Sequence, residues 1–497
     1  MPVPVVCFFF DSQYPAGESE VFAMVDKVIK FRHWVYTALF LVVGLCHSFL
    51  MPPFEVADEN MHFFRAWQLS EGIVFADIVP EGNFYGRHIP NSLAGDIPES
   101  FLQVGAEPYT QFVKPWQPDK LKVLWQLPLD EGKRQNVLLN TTGSYAPACY
   151  VPQIAGAWLG RLMSLTAGQY IYLMRLCGLC FASLCLYISM RLVPFAAGSL
   201  FLIAMLPMFS SQCASLSADA VVLPVCMVTA CYFYFLGQRG QRLSGREMLF
   251  LALLAVWLGL AKAVYGALML LYFALPCSVA GSRRKFFGTG IFLCLLALGT
   301  AFIWPQLTLT LRHAALPSVT DADAAAQIAI MREHPLIFVK AAAEALRQYG
   351  SMLLRQGIGI LGWLTVKLPE WFYAVYGIAL CIMLFHGSSC NDDGESIVTG
   401  SREADKHAFM CRWRALSAMV IVAACIAIMA LEYVYWTAPG SEIVEGLQGR
   451  YFLPFLVLSA LALPKYRLLR QEMLITVPLA ILSGFTGLFC LYRYYCF

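Results

Sequence analysis

Charge is scarce in this chain. Asp, Glu, Lys and Arg make up 13% of its 497 residues, against 59% hydrophobic residues, and the mean hydropathy is +0.62. Soluble domains carry about 25% charged residues, so a soluble fold is excluded. The formal net charge of +3 is too small to neutralise a phosphate backbone and argues against nucleic acid as a partner. No internal repeat is visible, which disfavours inverted-repeat transporter folds. Cysteine is plentiful at 17 residues but forms no disulfide framework. Cys177, Cys180, Cys185, Cys226 and Cys231 sit in apolar stretches, and no Cys/His set has metal-ligand spacing. The start lacks the basic region of a cleavable signal, with Asp11, Glu18, Glu20 and Asp26 in its place.

Long apolar runs are what the chain has. A span needs about 20 apolar residues, and the first candidate is 31–51. Further apolar stretches are 146–166, 169–190, 193–209, 218–236, 248–260, 264–275, 286–304, 371–386, 415–436, 450–463 and 473–492. The expected fold is an all-α polytopic membrane protein with a large first extracytoplasmic loop. Lys27, Lys30, Arg32 and His33 flank the first span on its N-terminal side and set the N-terminus in the cytoplasm. The basic connections 237–246, 282–285, 401–414 and 465–470 belong on the same side. Parity then makes 146–166, with Pro147, Pro152 and Arg161, an interfacial helix rather than a crossing. About eleven spans remain. The expected organisation is a cytoplasmic segment 1–30, a transmembrane core 31–304 with outer loop 52–143, a second outer loop 305–370, and C-terminal helices 371–497 with a cytoplasmic loop 387–414.

Ionisable residues gather at one membrane face. Asp58 and Glu59, followed by His62 and Arg65, lie a few residues beyond the first span. The same parity puts Asp219, Lys262 and the loop with Gln448, Arg450 and Tyr451 on the outer side. Charges at membrane depth are costly and demand a partner, a cavity or a function. Simple pairing between helices is one explanation, and an interfacial anchor is another for Arg450 beside Tyr451. Carboxylates joined by a Lys and an Arg also suit transfer from a lipid-linked phosphate. A base takes the acceptor's proton, and fixed cations stabilise the departing phosphate. Arg450 can grip a phosphate bidentately. Tyr145, with Pro147, Tyr150 and Pro152, marks where the large loop re-enters the membrane, and Gly357, Gly359, Gly362 and Trp363 form a second such stretch.

These patches resemble a family of predicted bacterial multi-pass membrane proteins of unknown function that is grouped with the GT-C glycosyltransferases. The resemblance is carried by Pro52-Pro53-Phe54 through Asp58-Glu59-Asn60-Met61-His62-Phe63-Phe64-Arg65-Ala66, then Tyr145-Ala146-Pro147 with Tyr150-Val151-Pro152. It continues through Ser215-Leu216-Ser217-Ala218-Asp219, Ala261-Lys262-Ala263-Val264-Tyr265, Gly359 to Trp363, and Gly446-Leu447-Gln448-Gly449-Arg450-Tyr451-Phe452-Leu453-Pro454. It implies a GT-C-like bundle and a sugar donor on polyprenyl phosphate. On that model Asp58 is the base, Glu59 its neighbour as metal ligand or acceptor-positioning group, and Asp219 the second-loop acid. A divalent metal is left open, since some GT-C enzymes use one and others do not.

The expected function is an inverting glycosyltransferase of the bacterial inner membrane, passing sugar to a glycan or glycolipid acceptor on the outer face. Two alternatives use the same charges: a flippase for a lipid-linked saccharide, and a non-catalytic scaffold of polysaccharide assembly. A flippase calls for polar residues deep in several spans, whereas stretches such as 249–258 and 418–430 are almost free of charge.

Overall fold

The computed structural model describes residues 31–84, 87–103, 125–139, 141–310, 322–387, 400–466, 468–469 and 472–496. The expected N-terminal segment 1–30, with Lys27 and Lys30, lies outside the described residues, as does most of the 387–399 stretch. Six helices are long and apolar enough to cross a membrane: Arg32–Leu50, Ala167–Leu192, Asp219–Arg239, Arg283–Thr308, Asp405–Tyr435 and Met473–Cys496. A seventh candidate is the pair Pro194–Ala204 and Pro207–Cys213, bent by 83°. Pro207 opens the second half of that pair, and Leu206 before it is extended, as a residue ahead of proline prefers. The expected straight crossing over 193–209 is therefore a broken helix.

Four other expected spans are shorter than a full crossing. They are the helices Gly245–Ala261, Glu370–Phe385 and Leu453–Ala462, and a 3-10 helix over Ala263–Ala274. Their composition matches that of the long helices, but their ends are cut by Lys262, by Pro369 and by the turn at Gly449–Phe452. Residues 146–166 form a 3-10 turn, Pro147–Tyr150, and a 13-residue helix, Val151–Met163, too short to span. Leu162, Met163 and Trp158 project from that helix into the surroundings.

Asp219–Arg239 is the central helix and is apolar and buried on nearly every face. Arg283–Thr308 and Arg32–Leu50 lie at the periphery, and outward side chains such as Phe302, Leu298, Phe49 and Val42 form a surface suited to lipid. Where Gly259 meets this outer helix, a Cβ would fall 2.3 Å from the carbonyl oxygen of Ala297, so the two backbones touch only because that residue is glycine.

Helix ends gather into two regions. At one, Arg32 Nη2 donates to the Pro194 carbonyl at 2.8 Å, Arg412 Nε to Ala274 at 3.2 Å, Arg414 Nε to Ala462 at 3.1 Å, and Lys465 Nζ to Leu384 at 2.7 Å. This is the basic end. At the other, Trp363 Nε1 donates to Phe54 O at 3.0 Å, Tyr495 Oη to Glu55 Oε2 at 2.8 Å, and Trp304 Nε1 to Ser144 O at 2.6 Å.

The expectation of an all-α chain needs correction in loop 52–143. There β1 (Asp77–Phe84), β2 (Arg87–Pro98) and β3 (Arg134–Leu138) form an antiparallel sheet, with Asp77 opposite Ala94 and Ala94 opposite Leu138. Prolines and weak alternation hide these strands in the sequence. Tertiary burial makes them: Leu93, Ala94, Ile97, Val137 and Leu138 are buried in the same core cluster as Phe63, Trp67 and Phe101. Arg134 fastens the sheet, gripping both oxygens of Glu71 at 3.0 and 2.8 Å and Asp96 at 2.8 Å.

Candidate functional site

The chain leaves Arg32–Leu50 through Met51 and Pro52 and enters a short helix, Glu59–Ser70. Asp58 stands at the entry with φ of 63°, a left-handed conformation that costs a non-glycine residue energy, and its side chain makes no capping hydrogen bond. Strain of this kind concentrates at functional positions. The Asp58 carboxylate is 43% exposed, and Arg450 Nη2 donates to its Oδ2 at 3.1 Å.

Arg450 arrives from the turn Gly449–Phe452, 392 residues further along the chain. Gly449 beside it packs so closely on helix Ile337–Gly359 that a Cβ would sit 2.1 Å from Leu353 O, and Gly449 N donates to Gln356 Oε1 at 2.9 Å. The guanidinium is 5% exposed and also donates from Nη1 to Gln212 Oε1 at 3.4 Å. Its Nε lies 3.6 Å from Asp219 Oδ2 and makes no hydrogen bond. Asp219, first residue of the central helix, accepts from Lys262 Nζ at 2.8 Å through Oδ1. The ring of Tyr451 faces both cations, 5.1 Å from Lys262 Nζ and 5.7 Å from the Arg450 guanidinium carbon. Burial opposes charge on Lys262, but Asp219 outweighs it and holds the lysine pKa well above its usual range. The result is a chain of alternating charge, Asp58, Arg450, Asp219, Lys262, open at the Asp58 end.

His62 and Tyr145 line the same region. His62 Nδ1 is 2.7 Å from Tyr150 Oη, and its ring meets Tyr145 edge-on at 5.4 Å. Burial pushes the His62 imidazole down to about 4, so it is neutral at physiological pH and shares one hydrogen bond with the tyrosine hydroxyl. Gln448 opens the turn Gly449–Phe452, with its Oε1 buried and without a hydrogen-bond partner.

Two residues of the expected site turn elsewhere. Glu59 faces away from Asp58 into a second network: Arg175 Nε donates to Oε1 at 2.8 Å and Nη2 to Oε2 at 2.6 Å, while Leu216 N and Phe54 N each donate at 3.0 Å. Those four bonds fill the carboxylate's four acceptor positions. The geometry thus gives Glu59 a structural task, without a free oxygen for metal or acceptor. Arg65 is likewise committed, its Nε and Nη2 donating to Tyr145 O at 3.2 and 3.1 Å and Nη2 to Val74 O at 2.6 Å. It anchors the loop that carries Tyr145.

The residues present do not fit a divalent ion. Asp58 and Asp219 are each paired with a cation that would repel one, and among the described residues no three His, Cys, Asp or Glu side chains form a metal-holding group.

Sequence reasoning missed three contributors. Arg175 sits inside an apolar stretch, and a charge at that depth was the available signal. Gln212, which holds Arg450, had no signal of its own. Glu432, near the end of Asp405–Tyr435, lies within electrostatic reach of Lys262 and Arg450.

No curated protein and no solved structure matches the chain. A family of predicted membrane proteins, DUF2142, matches residues 40–459. That stretch holds every residue of the charge chain from Asp58 to Arg450, and with the apolar helices it establishes that this chain is a membrane protein belonging to the DUF2142 family.

Proposed function

We propose that the protein is a membrane-embedded glycosyltransferase that moves a sugar from a polyprenyl-phosphate carrier to a glycan or glycolipid acceptor of the bacterial cell envelope. The observation that carries this reading is the Asp58–Arg450 pair: a strained, water-reachable carboxylate beside a buried guanidinium whose Nε has no hydrogen-bond partner. In the proposed step the acceptor hydroxyl gives its proton to Asp58 as its oxygen attacks the anomeric carbon. The bond from that carbon to the phosphate oxygen breaks, and the phosphate leaves with the electron pair. Arg450 and Lys262 balance its charge, which a low-dielectric site makes far more effective than water does. Direct in-line attack inverts the anomeric centre. His62, Tyr145, Gln448 and Tyr451 shape the sugar and phosphate pocket, and Asp219 holds both cations in place.

We further propose a GT-C-like bundle of eleven spans in the inner membrane, the short helices completing the long ones. Support comes from connectivity, since each short helix starts beside one end of the bundle and finishes beside the other. Ala263–Ala274, for example, begins next to Lys262 and ends at the carbonyl held by Arg412. A 3-10 helix of 12 residues rises roughly 24 Å, at about 2.0 Å per residue, close to a thin bilayer's core. The excess of Arg and Lys at one end points that end to the cytoplasm and the Asp58 end outward.

The test is reconstitution of the full chain in vesicles with a polyprenyl-phosphate sugar and an envelope acceptor fraction. Product of inverted anomeric configuration is expected, and Asp58→Asn should lower transfer on the order of 10² or more at unchanged protein level. Movement of the intact lipid-linked sugar across the bilayer without bond cleavage would make the protein a flippase. Normal transfer by the asparagine variant would remove Asp58 from the chemistry.

A further inference from the structure

A cavity of about 370 Å³ opens at the basic end, far along the helices from Asp58. Arg242, Leu243, Met248, Lys285, Gly288 and Thr289 line it. Two connections are zipped together to build its wall. Leu243 N donates to Val279 O at 2.9 Å, and Ser278 Oγ to Gly240 O at 3.1 Å. Gly240 and Gly281 both take positive φ, 61° and 76°, which lets the loops turn tightly enough to meet. The Arg242 guanidinium lies along Gly281, 3.5 Å from where a Cβ would stand.

The cavity carries two cations without an assigned counter-charge. The neighbouring carboxylate, Glu247, is taken by Arg239 at 2.6 Å and by the capping box of Ser244. No ion pair among the described residues engages Arg242 or Lys285. The N-terminal turn of Arg283–Thr310 borders the site and adds the positive end of its dipole. Arg246, Arg283 and Arg284 extend the positive surface around it. Directly beyond, Leu249, Leu253, Phe287, Ile291 and Leu295 are exposed on the two helices that lead away from the cavity.

We propose that this cavity binds the phosphate headgroup of an anionic phospholipid. A phosphate fits between Arg242 and Lys285, and acyl chains continue along the exposed apolar faces below, an arrangement that a soluble phosphate ester would leave unused. Basic pockets between membrane helices recognise lipid headgroups by this combination. The site is separate from the Asp58 chemistry and does not depend on it.

Native mass spectrometry of the full chain in mild detergent tests the assignment with three probes: phosphatidylglycerol, phosphatidylcholine and inorganic phosphate. The wild type should retain phosphatidylglycerol in preference to phosphatidylcholine. In R242Q/K285Q its affinity should fall roughly thirtyfold, the factor expected from losing two interfacial cations. R246Q/R284Q removes the same charge outside the cavity lining and should change affinity by less than about threefold, because salt screens the more distant charges. All four positions are exposed, so both variants should fold, which size exclusion verifies. Equal losses in the two variants, or equal retention of both lipids, would overturn the proposal. Displacement of phosphatidylglycerol by millimolar inorganic phosphate would assign the site to a soluble phosphate instead.

Discussion

Asp58 and Glu59 are neighbours in the chain and face two different arginines, 5% and 0% exposed, at the same end of the bundle. Around Arg175 every N–H of the guanidinium is matched. Its five N–H groups reach Glu59 twice, Ser48 O at 2.7 Å, Met51 O at 2.8 Å and Pro52 O at 3.0 Å. That network ties together the end of the first helix, the entry to the second, Ala167–Leu192 and the turn at Leu216. Around Arg450 the matching is incomplete: Nε is unbonded, Gln212 is held at a long 3.4 Å, and Asp58 reaches water. A saturated ion pair can only hold structure, whereas an unsaturated one retains the capacity to bind. Adjacent carboxylates are thus left in different states, Glu59 saturated and Asp58 open, and the proposed function assigns the chemistry to the open one.

Breaking the saturated network should have the largest effect. Arg175→Met leaves the Glu59 charge buried without a partner, which costs about 3–5 kcal/mol. The expected outcome is a sharp fall in melting temperature and in monodisperse protein after solubilisation. Adding Glu59→Gln to the same chain should recover part of that loss, since the stranded charge is gone. A melting curve like that of the wild type in Arg175→Met would show that the pair is not what locks this end.

The pairing of Glu59 with Arg175 was not legible in the sequence, and the reason is physical. Asp58, Lys262 and Arg450 each interrupt or border an apolar run, so their depth can be read from local composition. Partnership between residues 116 apart leaves no local pattern. Composition also could not separate the 10-residue helix Leu453–Ala462 from the 24-residue Met473–Cys496, because Arg493 is the one charge in either. The membrane class was legible from hydropathy alone, while the sheet over 77–138 forms through burial against Phe63, Trp67 and Phe101, which no strand signal announces. A conflict between charge and hydropathy marks Asp58, Lys262 and Arg450, and it marks Arg175 equally, but it does not say which of them pair.

Acid should sharpen the contrast next, through His62, which borders the open network yet is itself sealed against Tyr150. The unfolded chain binds the proton near 6.5, and the folded chain only near 4. Stability contributed by the neutral ring is therefore complete above pH 6.5 and is lost as pH falls towards 4, a change on the order of 3 kcal/mol. Melting temperatures recorded across that window should decline more steeply for the wild type than for His62→Gln, which has no proton to take up. Parallel slopes would mean that water already reaches the ring and that the floor of the site is not dry.

The smallest effect comes from Arg450→Lys, set against the same exchange at Arg175. An ammonium is a point donor and cannot reproduce a planar fork. At position 175 it loses most of the five directed bonds in a dry site, so the cost appears in melting temperature. At position 450 the fork makes fewer bonds, the Tyr451 ring still faces a cation, and Lys262 still neutralises Asp219. The fold should survive nearly unchanged. On the proposed function what disappears is bidentate grip on the donor phosphate, worth about one charge-assisted hydrogen bond, so donor use should fall roughly tenfold. Titrating donor at fixed acceptor should reveal the loss mainly as a raised KM. A lysine variant at 450 with wild-type donor dependence would identify Arg450 as a helix anchor, and the difference between the two arginines would then be one of burial alone.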